Sequence, residues 1–151
     1  MIAYPDTSFL YAFYLQQSHS PKATEYAAKM KEPLHLTELV RYEFRQSVRL
    51  QVWRKATNDI EGLSERDAQA AIGQLEDDLK TGVAVIIPCS YMQVLALADK
   101  LSERFTRKNG HRSLDVLHVA TALALKAKKL LSFDLRQRKL AESAGLQSAP
   151  L

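Results

Sequence analysis

Short apolar runs recur at residues 1–5, 34–37, 83–87 and 128–133, each separated from the next by segments of helical character. The clearest is VAVII at 83–87, continuous, β-branched and bounded by Gly82 and Pro88. A run of that kind reads as a buried strand. A chain that returns to a strand only after a helix builds a parallel sheet with helices over both faces. The expected fold is therefore α/β, a three-layer α/β/α arrangement around a central, mainly parallel sheet.

The helices are marked by their ends. TSFLYAFYL follows the first strand, with Thr7 or Ser8 available as its cap, and Ser20-Pro21 opens KATEYAAKMK, which Pro33 stops. Thr37 is the expected cap of a long helix to about Lys55, broken near Asn58 and Gly62. Ser64 with Asp67 resembles a capping box ahead of a helix ending near Gly82, and Ser90 starts another. Asn109-Gly110 reads as a turn, Ser113 begins LDVLHVATALALKA, and LRQRKLAESA is closed by Gly145. The tail LQSAPL offers a weak final edge strand. With no repeat, linker or low-complexity tract, residues 1–151 read as one domain.

Composition narrows the class. At 151 residues, 46% hydrophobic and 25% charged, the chain has the profile of an ordinary globular domain with a sizeable core. The most apolar stretch, 116–125, is flanked by charge within a few residues and reads as a buried helix, so no membrane association is expected. MIAYPDTSFL lacks the basic start and cleavage pattern of a leader, and the single Cys89 excludes an internal disulfide framework or a cysteine zinc cluster. A cytoplasmic location is the expectation. The net charge of +4 assigns nothing by itself. Its basic residues cluster in ERFTRKNGHR (103–112) and KAKKLLSFDLRQRK (126–139), where phosphate-backbone contact and a merely solvated surface are both open readings.

Four acids stand where surface chemistry alone would not put them. Asp6 and Asp134 directly follow strands, and in an open parallel sheet such ends converge on the ligand crevice. Asp115 lies in a first helical turn, a placement that the helix dipole also explains. Leu114, Leu117 and Val119 mark much of that helix as buried, while Asp115, His118 and Ala122 share another face suited to lining a cleft. Glu43 sits beside the apolar stripe of Val40 and Phe44, and neither Arg41 nor Arg45 is spaced to face it. A glutamate at such a boundary pairs with a base or binds a cation. Converging carboxylates without a counterion repel one another, and a hard divalent cation resolves the conflict. All-oxygen ligation suits Mg²⁺ or Mn²⁺, and such a site activates water and stabilises a phosphodiester transition state.

PDTSFL (5–10), LTELVRYEF (36–44), SLDVLHVATALAL (113–125) and LLSFDLRQRKLAESAGL (130–146) resemble, in order, the four acidic motifs of the PIN-domain ribonucleases, most of all their VapC-like toxin branch. The resemblance spans essentially the whole chain. It implies a PIN-like domain cleaving RNA with one or two Mg²⁺ or Mn²⁺ ions, held by Asp6, Glu43, Asp115 and Asp134 as the acidic quartet. It also implies supporting hydroxyls at Thr7, Ser8 and Ser132, the last standing where relatives often have threonine. A homodimer and a cognate antitoxin lying along the groove follow from the family alone. Candidate contacts to the RNA backbone are Lys108, Arg112, Arg136 and Arg138.

Other residues carry plainer readings. His118 reads first as a satisfied structural histidine, while His111 and Arg112 stand nearer substrate if their turn borders the cleft. His19 and His35 have no evident metal-ligand partner, and Cys89 reads as a small buried residue. Tyr11, Phe13, Tyr14 and Tyr26 either cover the core or form an oligomer surface. Two rival functions remain. A receiver-like phosphoryl-transfer domain would want an adjacent acidic pair on the first strand and a lysine at the last, where the chain has Asp134. A non-catalytic RNA-binding or protein-interaction domain would not need all four acids.

Overall fold

The computed structural model describes residues 2–57, 62–149 and 151. Five short strands, β1 (Ala3–Pro5), β2 (Leu34–Leu36), β3 (Ala84–Ile86), β4 (Lys129–Leu131) and β5 (Gln147–Ser148), are separated in sequence by helices. Parallel ladders join β1 to β4, β4 to β5, and β2 to β3. Because β2 also runs alongside β1, the strands lie in the spatial order β3-β2-β1-β4-β5. The helices are α1 (Thr7–Tyr14), α2 (Ser20–Ala28), α3 (Glu38–Ala56), α4 (Glu65–Thr81), α5 (Tyr91–Leu101), α6 (Arg107–Asn109), α7 (Ser113–Ala124) and α8 (Leu135–Ser143). α1 packs on α2, α3 and α4, and α7 on α5 and α8, giving the three-layer α/β/α arrangement with a parallel sheet.

The central strands are the most deeply buried, with Tyr4, Leu36, Leu130 and Leu131 wholly enclosed. They meet Phe9 and Leu10 of α1, Val40 and Phe44 of α3, and Leu140 of α8, which are equally enclosed. Tyr14 and Phe13 pack edge to face, and Phe9 stacks against Phe13. The aromatic cluster of α1 therefore covers the core, and the Tyr14 hydroxyl donates to Asp78 of α4 at 2.8 Å.

Several local expectations need correction. VAVII is not buried throughout: β3 pairs with β2 alone among the described residues, so Ala84 is enclosed, Val85 and Ile86 are half-buried, and Val83 is 50% exposed. Neither Thr7 nor Ser8 caps α1; Asp6 does, its Oδ1 accepting from the Phe9 amide at 2.9 Å. Thr37 occupies the cap position of α3 without a side-chain cap bond, and its hydroxyl faces the Tyr4 hydroxyl at 3.4 Å instead. Leu114 is exposed, because it turns away from the α7 face that meets the sheet. Cys89 is only half-buried. The helix that Ser90 starts runs on through the basic segment as a π-helical turn (Ser102–Thr106) into α6, and ends at the expected turn, where Gly110 has φ +64°. Asn58 and Pro150 lie outside the described residues, while β5 confirms the tail strand.

Gly62 is fixed by space rather than by its backbone angle. A Cβ there would stand 2.5 Å from the Gln51 carbonyl oxygen and the Lys55 nitrogen, both backbone atoms of α3 that cannot rotate aside. Gly62→Ala is therefore expected to destabilise the protein by about 1–3 kcal/mol. An unchanged denaturation midpoint would contradict this packing.

Candidate active site

The register places Pro5 opposite Leu131, so β1 and β4 end level. Asp6 extends the ladder by one bond, its amide donating to the Leu131 carbonyl at 3.0 Å. Asp6 directly follows β1, whereas Asp134 stands three residues past the end of β4 rather than directly after it, and each turns the chain into a helix. Asp6 caps α1, and Asp134 caps α8 by accepting from the amides of Arg136 (2.8 Å) and Gln137 (3.1 Å). A carboxylate suits such a position twice over, since it accepts from the free amides of a helix N-terminus and is also the kind of oxygen ligand that hard cations favour.

Ser132 ties the two ends together. Its hydroxyl faces Asp6 Oδ2 at 2.5 Å and Gln137 Oε1 at 3.1 Å, and it accepts from the Asp134 amide at 3.0 Å. Ser8 reinforces the join, donating to Asp6 Oδ1 at 2.7 Å and accepting from the Phe133 amide at 2.9 Å. Asp6 is almost fully buried, and burial pushes its carboxyl above the usual range; the His118 charge, both serine hydroxyls and the Phe9 amide oppose that only in part.

Glu43 enters from α3 and meets two donors at one oxygen, the Thr7 hydroxyl and His118 Nε2. Burial raises its carboxyl, but the His118 bond and charge, with Thr7 and Arg112, outweigh that and hold it below its ordinary value. The second ring nitrogen of His118, Nδ1, lies 3.1 Å from the Tyr4 hydroxyl, itself pushed up by burial. His118 is thus satisfied, as expected, yet it is satisfied by a site acid. Arg41 and Arg45 turn to Glu76, and neither bonds Glu43.

A depressed carboxylate contributes stability above its unfolded value, near 4.5, and that contribution is lost as pH falls through the folded value. The stability advantage of the metal-free native protein over Glu43→Gln should therefore be larger at about pH 6 than at about pH 3. Urea titrations at both pH values check this; an advantage that does not shrink on acidification would contradict it.

Asp115, in the first turn of α7, is buried and held by Arg112, whose Nε lies 3.2 Å from Oδ2. The same guanidinium reaches Asp134 Oδ2 at 3.8 Å and lies within electrostatic reach of Glu43. Arg112 therefore lies against the acids themselves. Arg136 donates to the Gly110 carbonyl at 2.6 Å, joining α8 to the turn after α6, and Lys108 is exposed nearby. Arg138 is half-buried on α8. His111 lines a separate hollow of about 480 Å³ with Arg136 and Lys139.

The donor chemistry, carboxylate oxygens only, fits a hard divalent cation. Among the described residues, however, no three acidic, histidine or cysteine side chains draw close enough to enclose one. Asp115 and Asp134 share Arg112, Glu43 is turned to His118 and Thr7, and Asp6 is taken up by hydroxyls.

A parallel α/β/α layer with acids at the carboxyl ends of its central strands defines the class, a crevice-site α/β protein. The sequence matches the PIN domain family over residues 3–143. The chain belongs to that family. Among solved structures it is similar to VapC20 of Mycobacterium tuberculosis, a toxin that cleaves the sarcin–ricin loop, with 18% identity, 95% of each chain covered and a TM-score of 0.60. It is also similar to FitAcB from Neisseria gonorrhoeae, with 15% identity, 98% of this chain and 96% of that chain covered, and a TM-score of 0.60. No curated protein matches the sequence. No helix among the described residues is long and apolar enough to cross a membrane.

Proposed function

We propose that residues 1–151 form one PIN domain acting as a divalent-metal-dependent endoribonuclease, the VapC-like toxin of a toxin–antitoxin pair. The observation that carries the reading is the pair of level strand ends, beyond which Asp6 and Asp134 are joined through Ser132 while Asp134 and Asp115 share Arg112. Asp6, Glu43, Asp115 and Asp134 would hold Mg²⁺ or Mn²⁺, one ion or two. Such an ion supplies an activated water and charge stabilisation at a scissile phosphodiester. Thr7, Ser8 and Ser132 hold the carboxylates in place, and Lys108, Arg136 and Arg138 supply positive charge for the RNA backbone. An antitoxin partner, a homodimer and a cytoplasmic location belong to the same reading, supported by family membership and by likeness to a toxin.

Arg112 has a different part in this account from a backbone contact. It neutralises acids that an ion would otherwise neutralise, so the two compete for the same carboxylates. Removing its charge is expected to tighten Mn²⁺ binding about tenfold, read by calorimetry on Arg112→Gln. Asp115→Asn in the same experiment should abolish binding. Equal affinity in native protein and Arg112→Gln would contradict the competition, and absence of Mn²⁺ binding in native protein would contradict the metal-nuclease reading itself.

A further inference from the structure

Beside the acids, α1 and α3 leave a groove of about 360 Å³ that none of the roles above uses. It is continuous with the site through three of its elements. Thr7 and Ser8, which hold Glu43 and Asp6, form one wall. Ser47 and Gln51 follow Glu43 at four-residue intervals along α3, so the helix face that presents the acid also lines the groove. Phe133, the residue before Asp134, completes it.

The character of this groove differs from that of the acid cluster. It is lined by no Asp, Glu, Lys or Arg. Its rings are ordered instead: buried Phe9 lies 6.2 Å from Phe133 at an interplanar angle of 7°, and His19 lies 4.5 Å from the same ring at 14°. A stack of three rings thus runs outward from the core to an exposed imidazole, with half-buried Tyr11 and the amide-bearing Gln17 beside it. No lysine or arginine lines the groove to hold a phosphate, and Arg54 comes only within electrostatic reach of Tyr11. A flat, uncharged ring with hydrogen-bonding edges finds both a stacking surface and amides able to read those edges.

We propose that this groove is a nucleobase subsite, taking one unpaired base of the RNA next to the phosphodiester held at the acids. His19 extends its stacking platform, and Gln51 meets the base edge. The inference rests on the RNA reading given above and adds to it a place where the base, rather than the backbone, is felt.

The test uses intact protein in EDTA, so that nothing is cleaved, with a short single-stranded oligoribonucleotide followed by fluorescence anisotropy. Single abasic positions are introduced one at a time along the strand. Loss of one particular base should weaken binding to native protein about tenfold, and the same loss should cost His19→Ala and Gln51→Ala variants markedly less. His19 is exposed, so its truncation leaves the core untouched. Binding that is indifferent to every abasic position, as for a groove that takes a protein side chain, overturns the subsite while leaving RNA binding in place. An abasic penalty equal in native protein and both variants also overturns it. Failure of native protein to bind RNA at all overturns the subsite together with the RNA reading.

Discussion

Asp6→Asn should lower RNA cleavage by more than about a hundredfold while leaving the protein folded. The substitution is close to isosteric. The side-chain amide oxygen still accepts from the Phe9 amide and Ser8, and the new NH₂ group faces Ser132, whose oxygen can accept as readily as its hydroxyl donates. What disappears is the charge. Burial pushes the Asp6 carboxyl above its ordinary value of 3.8, so its contribution to stability is full at low pH and is lost as pH rises through the folded value. At neutral pH, well above its unfolded value, the acid is therefore a cost to the metal-free fold. Asp6→Asn should be at least as stable as the native protein there, a pattern expected of a residue retained for chemistry. Undiminished cleavage by a folded Asp6→Asn protein would exclude Asp6 from the site.

His118→Ala should reduce cleavage about 10- to 100-fold, the usual range for a residue that orients a metal ligand without touching the metal. His118 is buried between Glu43 and Tyr4, so truncation leaves a carboxylate and a phenol without their shared partner. Stability should fall with activity, by about 1–3 kcal/mol. A purely structural role predicts only the second effect. The discriminating quantity is Mn²⁺ affinity at a temperature where the variant is fully folded: it should fall if His118 positions Glu43, and unchanged affinity would reduce His118 to a core residue.

Much of this architecture is legible in the sequence because its signals are local. The helix starts at Ser20-Pro21 and Ser64 hold within a residue or so, and the Ser64 hydroxyl accepts from the Asp67 amide as a capping box requires. The strand positions are also legible, since each is a short apolar run set against turn residues. Their degree of burial is not. VAVII reads as enclosed from its composition, yet the strand order leaves β3 at an edge, and no window of sequence contains that order. The acids follow the same division. Asp6 and Asp134 announce themselves by following strands, but their capping of α1 and α8 depends on how the strand end bends into the helix.

The partners of the acids are the least legible part. Arg112, at the N-cap position of α7, stands three positions before Asp115 and can reach it, yet in the sequence it is one of a basic cluster, and composition displays the cluster rather than the pair. Its approach to Asp134 spans 22 positions and exists only once β4 and α7 are placed. The bond between His118 and Glu43 joins residues 75 apart. Spacing alone puts Asp115 and His118 on a shared face, and nothing in either segment indicates α3 across from it. The groove beside the acids is similarly a product of the fold, assembled from α1, α3 and the residue that precedes Asp134.

The most direct measurement is the fate of mixed cellular RNA incubated with purified, partner-free protein and Mn²⁺, alongside a sample containing EDTA, with the new ends mapped. The account predicts internal cleavage that requires the metal and leaves 5′-phosphate ends, as expected for attack by a metal-activated water. Cleavage that persists in EDTA, or RNA left intact by protein that is folded and Mn²⁺-bound, would contradict it.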